Sequence, residues 1–167
     1  ADLVVRAARL LQQHSGCELG VDIRLEKNIP MGAGLGGGSS DAATTLVALN
    51  DLWELGLDQG TLAELGLGLG ADVPIFIHGH AAWAEGVGEK FQPINLPEPW
   101  FLVVKPGCSI ATAEVFRDPE LTRNTPPITI RGFLTGAGHN DCQPVVRKRY
   151  AEVAQLIDWL DERANAR

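Results

Sequence analysis

A dense run of glycines followed by two serines is the segment of this sequence best suited to chemistry. Five of the seven residues 32–38 are glycine, and a helix is predicted to follow them. Glycine allows positive φ and a close approach of the backbone to a ligand, but it is an entropically costly way to build a simple turn. Ser39 is placed where the N-cap of that helix is expected. Since a helix N-terminus binds anions, the segment predicts a phosphate cradle.

Two common phosphate loops do not fit this segment. A Walker A loop needs Gly-Lys followed by Ser or Thr, and the sequence contains no such tripeptide. Gly32, Gly34 and Gly37 satisfy the dinucleotide pattern G-x-G-x-x-G, as any dense glycine run does. That pattern also needs an acidic residue at the end of a second strand about 20 residues on. Asp51 is near that distance but ends a predicted helix, so the dinucleotide interpretation is rejected.

Asp72 is the second candidate for chemistry, because it lies between the end of a glycine-rich helix and an apolar run. Phosphoryl transfer to an alcohol needs a group that orients the hydroxyl and accepts its proton. An aspartate among Ala71, Val73 and Ile75 suits that role. From the residues alone, a turn or a helix cap explains Asp72 equally well.

The elements that position these residues follow from hydrophobic periodicity. Helices are predicted at residues 3–11, 42–53, 59–65, 111–116 and 142–164. Strands are predicted at residues 19–25, 73–77, 81–84, 90–94 and 101–105. Residues 118–127 are predicted to be a loop. Because helices and strands interleave without βαβ regularity, the predicted class is α+β with partly antiparallel pairing.

Composition narrows the classes of function. The chain has 167 residues and a net charge of −7, which argues against nucleic-acid and membrane-surface partners. No apolar stretch is long enough to span a membrane, and the first residues do not resemble a secretory signal. Three widely spaced cysteines have neither disulfide nor zinc-site spacing, and favour a reducing cytoplasm. His78 and His80 lack a third metal ligand and are interpreted as incidental.

The glycine-rich segment resembles the second motif of the GHMP kinase superfamily, P-x-x-x-G-L-G-x-x-S-S-x-x-A. The matching residues are Pro30, Gly34, Leu35, Gly36, Ser39, Ser40 and Ala43. The resemblance implies that this loop, with Gly32, Gly37 and Gly38, wraps the triphosphate of ATP. It also implies that Ser39 is a ligand or neighbour of Mg2+. Lys27, just before the loop, is expected near the nucleotide or as a solvated lysine.

Residues 70–76, GADVPIF, resemble one branch of that superfamily, whose members phosphorylate 4-diphosphocytidyl-2-C-methyl-D-erythritol in the non-mevalonate isoprenoid pathway. The resemblance implies that Asp72 is the catalytic base on the acceptor hydroxyl and contacts the acceptor. It also implies that Phe116 stacks on the cytosine ring and that Thr112 offers a hydroxyl nearby. From the residues alone, Thr112 is a helix cap and Phe116 a core residue. Arg123 and its neighbours resemble the same branch and are interpreted as structural.

The resemblance implies a two-domain GHMP kinase fold: a ribosomal-protein-like nucleotide-binding domain and part of an α/β substrate domain. The expected domains are residues 1–97, incomplete at the start, and 98–167, incomplete at the end. The N-terminal and C-terminal segments of that family are expected to be missing. The implied activity is ATP-dependent phosphorylation of the cytidylated erythritol. The alternatives are another GHMP kinase, acting on mevalonate, homoserine or a sugar, and a non-catalytic nucleotide-binding module. The sequence does not determine an oligomeric state.

Overall fold

A computed structural model describes residues 2–86 and 90–164 of the chain. The chain divides into two compact units, Ala1–Trp100 and Phe101–Arg167. The predicted domain division at residues 97 and 98 stays a prediction. In the described ranges, no helix is long and apolar enough to cross a membrane.

The first unit contains four helices and one antiparallel hairpin in its described part. They are α1 (Leu3–Ser15), α2 (Gly37–Leu52), α3 (Gln59–Leu67), α4 (Val73–His78), β1 (Ala82–Glu85) and β2 (Lys90–Pro93). In the hairpin, Ala82 pairs with Pro93 and Glu85 with Lys90. The strands predicted at residues 81–84 and 90–94 are therefore confirmed, and so is their antiparallel pairing.

The core of the first unit lies between α1, α2, α3 and α4. Its fully buried side chains include Leu11, Leu46 and Val73. The apolar positions of α1 and α2 recur at helical spacing, so each helix turns one stripe toward the other. Asp58 caps α3 by accepting the backbone N–H of Thr61 at 2.8 Å, and this hydrogen bond lowers the pKa of Asp58. The glycine-rich segment leads directly into α2, which contributes Ala42, Ala43, Leu46 and Leu49 to this core.

Gly66 lets α3 and α4 approach closely. A Cβ at this position would lie 2.8 Å from both Ile77 Cδ1 and Val73 Cγ1. We expect Gly66→Ala to lower the free energy of unfolding by about 1–2 kcal/mol. Overpacking costs about 1–3 kcal/mol, and the better helix propensity of alanine offsets up to about 1 kcal/mol of it. Urea unfolding measures the change.

Gly20→Ala is the matched control for Gly66→Ala. A Cβ at Gly20 meets nothing within 4 Å, so its stability should stay within about 0.5 kcal/mol of the original. Equal stability of the two variants would show that close packing at Gly66 does not limit the contact between α3 and α4.

The second unit consists of helices and loops in its described part. The helices are α5 (Thr112–Arg117), α6 (Ile130–Leu134), α7 (Cys142–Arg149) and α8 (Ala151–Ala164). A small core of Val115, Leu121 and Val145 joins α5 to α7. The helix predicted at 142–164 is interrupted at Tyr150, whose extended φ and ψ separate α7 from α8. The predicted loop at residues 118–127 is confirmed.

The strand predicted at residues 73–77 is wrong, because these residues form α4. A short apolar run does not distinguish a strand from a buried helix by periodicity alone. The flanking residues do distinguish them. Pro74 lies in the first turn of the helix, and Gly79 ends it in the left-handed conformation with φ of 72°.

The strands predicted at residues 19–25 and 101–105 are also wrong. Both segments lack regular structure, and their apolar side chains are exposed, with Phe101 80% exposed. A strand needs a neighbour to pair with its backbone N–H and C=O groups. In residues 2–86 and 90–164, no segment pairs with either of them. The alternating pattern at 19–25 is therefore present without the pairing that makes a strand.

Candidate functional site

The glycine-rich segment and the first turns of α2 line a cavity of about 530 Å3 in the first unit. Leu3 and residues 26–39 line it together with Asp41. The predicted site residues in this lining are Lys27, Pro30, Gly32, Gly34, Leu35, Gly36, Gly37, Gly38 and Ser39. Ser40 and Asp72 are outside it. The structure thus brings nine of the predicted site residues to one cavity.

Three glycines of this lining have a backbone that other residues rarely adopt. Gly32, Gly34 and Gly36 have φ of 67°, 72° and 69°, whereas Ala33 and Leu35 between them do not have positive φ. When residues with positive φ alternate with residues without it along a short segment, successive backbone N–H groups point toward one side. They then form an anion-binding concavity. The geometry of the segment therefore suits a bound phosphate.

Helix α2 begins earlier than the sequence predicted. Its N-cap is Gly36, with no side-chain cap, and Ser39 is its third residue. The predicted N-cap at Ser39 is therefore wrong, because the positive φ of Gly36 turns the chain into the helix, and glycine is also a favoured N-cap. The first N–H groups of a helix have no partner within it. At this cavity they belong to Gly37, Gly38 and Ser39, and in the described chain no side chain caps them.

Two helical glycines admit neighbouring side chains rather than supplying unusual φ. A Cβ at Gly37 would lie 3.5 Å from Ile29 Cγ2, and one at Gly38 would lie 3.4 Å from Leu3 Cδ1. Side chains larger than alanine at these positions would meet Ile29 and Leu3, which also line the cavity. The glycine run therefore serves the curvature of the loop in its first half and close packing in its second.

Lys27 lies at the cavity between two carboxylates. Its Nζ is 2.6 Å from Asp41 Oδ2 and 3.7 Å from Asp2 Oδ2. The hydrogen bond to Asp41 raises the pKa of Lys27 above its ordinary value, so the lysine stays charged throughout the neutral range. Asp2 also caps α1 by accepting the N–H of Val4 at 3.0 Å. Lys27 thus ties the chain before the loop to the starts of two helices.

Asp41 is a lining residue that sequence reasoning did not identify. It follows the serines of the motif and is half-buried on α2. An acidic residue beside a phosphate cradle is unexpected unless a cation pairs with it. Lys27, fourteen residues earlier, supplies that cation. The sequence signal that could have predicted this ion pair is the presence of one basic and one acidic residue on either side of the glycine run.

Asp72 lies at the N-cap of α4, which packs against α2. Its side chain makes no cap hydrogen bond, and in the part of the chain that the structure describes, its exposed carboxylate has no partner. The side chain of Asp72 therefore makes neither the turn contact nor the helix cap that the sequence also allowed. One turn further along α4, the ring of Phe76 lies against Gly36, where a Cβ would be 2.7 Å from Cζ. Helix α4 thus carries Asp72 and contacts the loop.

Thr112 and Phe116 lie on α5 in the second unit. Thr112 is the first residue of the helix, whose N-cap is Ala111, so the predicted capping role of Thr112 is wrong. Phe116 is 60% exposed and lies outside the small core, so the predicted core position is wrong as well. Val115 fills the core in its place. Both predicted substrate residues are therefore accessible on one short helix.

The described residues provide few side-chain ligands for a metal ion. No group of three His, Cys, Asp or Glu side chains is arranged to hold one there. Mg2+ in phosphoryl-transfer enzymes commonly binds through substrate phosphates, waters and one or two protein oxygens. A hydroxyl such as that of Ser39, at the uncapped start of α2, fits that pattern.

Comparisons with known proteins find similarity to kinases. Residues 2–80 match the family model of the GHMP kinases N terminal domain. The chain is 62% identical over 166 residues to the 4-diphosphocytidyl-2-C-methyl-D-erythritol kinase of Nitrosococcus oceani, covering 99% of this chain and 59% of the relative. It is 58% identical over 167 residues to the same-named kinase of Pseudomonas syringae, covering 100% of this chain and 59% of the relative.

A solved structure is similar over almost the same stretch. It is a crystal structure of 4-(cytidine 5'-diphospho)-2C-methyl-D-erythritol kinase, with a TM-score of 0.77 and 37% identity. The match covers 93% of this chain and 59% of that one. The chain therefore spans about 59% of the length of these relatives.

Proposed function

We propose that this chain belongs to the GHMP kinase family and forms the ATP-binding part, and a portion of the acceptor-binding part, of a 4-diphosphocytidyl-2-C-methyl-D-erythritol kinase. The observation that carries the proposal is the cavity in which three left-handed glycines, the uncapped start of α2 and Lys27 lie together. This combination suits the triphosphate of ATP. The proposed setting is the cytoplasm and the non-mevalonate route to isoprenoids.

The loop holds the phosphates through backbone N–H groups. Residues 32–39 supply these groups, and Ser40 supports them from the next position of α2. Lys27 adds a positive charge at the cavity, although it shares that charge with Asp41 and Asp2. The Ser39 hydroxyl would help to hold Mg2+ together with the phosphates, and the ion would supply positive charge to offset the negative charge of the transfer.

Asp72 is the proposed base. It accepts the proton of the acceptor hydroxyl while the hydroxyl oxygen bonds to the γ-phosphorus. The bond between that phosphorus and the bridging oxygen of ADP breaks, and ADP leaves. The free carboxylate of Asp72 supports this role, because no cap or ion pair in the described chain has to be broken first.

The cytidine end of the acceptor is proposed to meet α5. The exposed face of Phe116 suits stacking on a flat nucleobase, and the Thr112 hydroxyl, one turn earlier, suits a hydrogen bond to the same group. These contacts would favour binding of a cytidylated acceptor over mevalonate, homoserine and sugars, which lack the base.

An ADP-release assay on the natural polypeptide that contains this chain tests the proposal. With ATP and Mg2+, we expect turnover with 4-diphosphocytidyl-2-C-methyl-D-erythritol and none above background with mevalonate, homoserine or no acceptor. Turnover confined to another acceptor would support the proposed kinase activity but reject the proposed substrate. ATP binding without turnover on any acceptor would favour a non-catalytic nucleotide-binding module.

A further inference from the structure

Arg123 makes an unusual set of contacts at the end of α5. Its Nη2 donates to the backbone oxygens of Phe116 at 2.7 Å and Asp118 at 3.0 Å. Its Nη1 donates to the backbone oxygen of Leu121 at 3.1 Å. One guanidinium therefore joins three carbonyl groups within six residues. Arginine suits this task because its donors form a rigid, permanently charged fork.

One of these contacts satisfies a group that a short helix leaves without a partner. The last four C=O groups of an α-helix have no partner within it, and a cation near them is favoured by the helix dipole. Phe116 is the penultimate residue of α5, so its oxygen is one of these groups. Arg123 thus fixes the backbone from which the Phe116 ring projects.

Other side chains also hold the backbone between Phe116 and Arg123 in place. Asp118 is only 4% exposed, and its carboxylate accepts the N–H of Glu120 at 2.8 Å and pairs with Arg149. Val115 and Leu121, on either side of this turn, are buried in the small core. Phe116 points away from that core. A single exposed Phe is ordinary on a surface, but here its backbone is held by a dedicated side chain.

We infer that Arg123 is a positioning residue for acceptor recognition, which it controls by fixing the Phe116 ring on α5. The inference rests on the proposed function, because it assigns the cytidine end of the acceptor to that ring. Among the described residues, the hydrogen bonds of Arg123 go to backbone oxygens of its own chain. Its loss should therefore weaken acceptor binding and leave the ATP cavity, formed by the first unit, unchanged.

The test compares Michaelis constants of variants of the natural polypeptide. Phe116→Ala should raise the KM for the cytidylated acceptor about 5- to 100-fold, as expected for the loss of a base-stacking ring. Arg123→Ala should raise it about 3- to 30-fold, with the KM for ATP within about twofold of the original. Arg123→Lys, which keeps the charge but not the fork, should give a smaller rise and covers the case in which the alanine variant does not fold. Lys148→Ala, which removes an exposed ion pair with Glu120 in the same unit, should change neither constant.

Combining the two substitutions gives the decisive result. If Arg123 acts through the ring, adding Arg123→Ala to Phe116→Ala should raise the acceptor KM no further. An equal rise in both backgrounds, or an equal rise in the KM for ATP, would overturn the inference.

Direct binding separates failure of this inference from failure of the proposed function. If the original polypeptide shows no turnover, calorimetric titration with cytidine 5'-diphosphate measures how much Phe116 and Arg123 contribute to binding affinity, without catalysis. Weaker binding in both variants would support the inference while the kinase proposal falls. Unchanged binding in Arg123→Ala would reject the inference whatever the activity.

Discussion

Asp72→Asn should lower kcat with the cytidylated acceptor about 10²- to 10⁴-fold, the usual contribution of a positioned general base. Asparagine keeps the shape of the side chain but cannot accept the hydroxyl proton. Asp72 is exposed, makes no contact that the fold of α4 needs, and lies outside the lining of the glycine-rich cavity. ATP affinity, measured by calorimetry, should therefore stay within about twofold of the original.

Asp51→Asn is the control for Asp72→Asn. It makes the same chemical change at another exposed carboxylate of the first unit, near the end of α2. We expect its kcat to be unchanged. Retention of more than half of the original kcat by Asp72→Asn would mean that another group accepts the proton, or that transfer needs no base.

Gly36→Ala should weaken ATP binding about 5- to 30-fold. The left-handed φ of 69° costs a residue with a side chain about 1–2 kcal/mol, and Gly36 is also the N-cap of α2. The new methyl would in addition lie 2.7 Å from Phe76 Cζ, closer than carbon atoms approach, so the ring must move. Calorimetric titration with ATP and Mg2+ measures the loss.

Gly34→Ala separates the two causes of the Gly36→Ala effect. Its φ of 72° gives similar strain, but a Cβ there meets nothing within 4 Å. Its loss of affinity should therefore be smaller than that of Gly36→Ala. Adding Phe76→Ala to Gly36→Ala should recover the difference. If both alanine variants bind ATP as tightly as the original, the left-handed loop does not form the phosphate site.

The class of fold was predictable, but three of the five predicted strands were wrong. Both strands of the hairpin were predicted, and they lie near each other in sequence, so each has its partner close at hand. The match to the solved structure confirms the α+β class of the GHMP kinases. The strands at 19–25 and 101–105 failed because the apolar pattern of a segment predicts only which of its side chains would be buried in a strand. Whether a neighbour is present to pair with it is not encoded in the segment itself.

The candidate site was predictable to the extent that it is continuous in sequence. The loop from Pro30 to Ser39 was identified from one motif, and its residues line one cavity. The pairing of Lys27 with Asp41 was not predicted, because it joins side chains on separate elements. The N-cap was misplaced by three residues because Ser39 is the better cap by type, whereas the backbone turn occurs at Gly36. The roles assigned to Asp72, Thr112 and Phe116 stay predictions.

The two segments with strand-like sequence and no partner have a practical consequence. Residues 19–25 expose Leu19, Val21 and Ile23 on a backbone that makes no strand pairing in the described structure, and residues 101–104 expose four apolar side chains in a row. Unpaired apolar edges are templates for pairing with another chain. A preparation of these 167 residues by themselves should therefore tend to aggregate through intermolecular β-pairing, and lysine substitutions at 21 and 23 should improve its solubility.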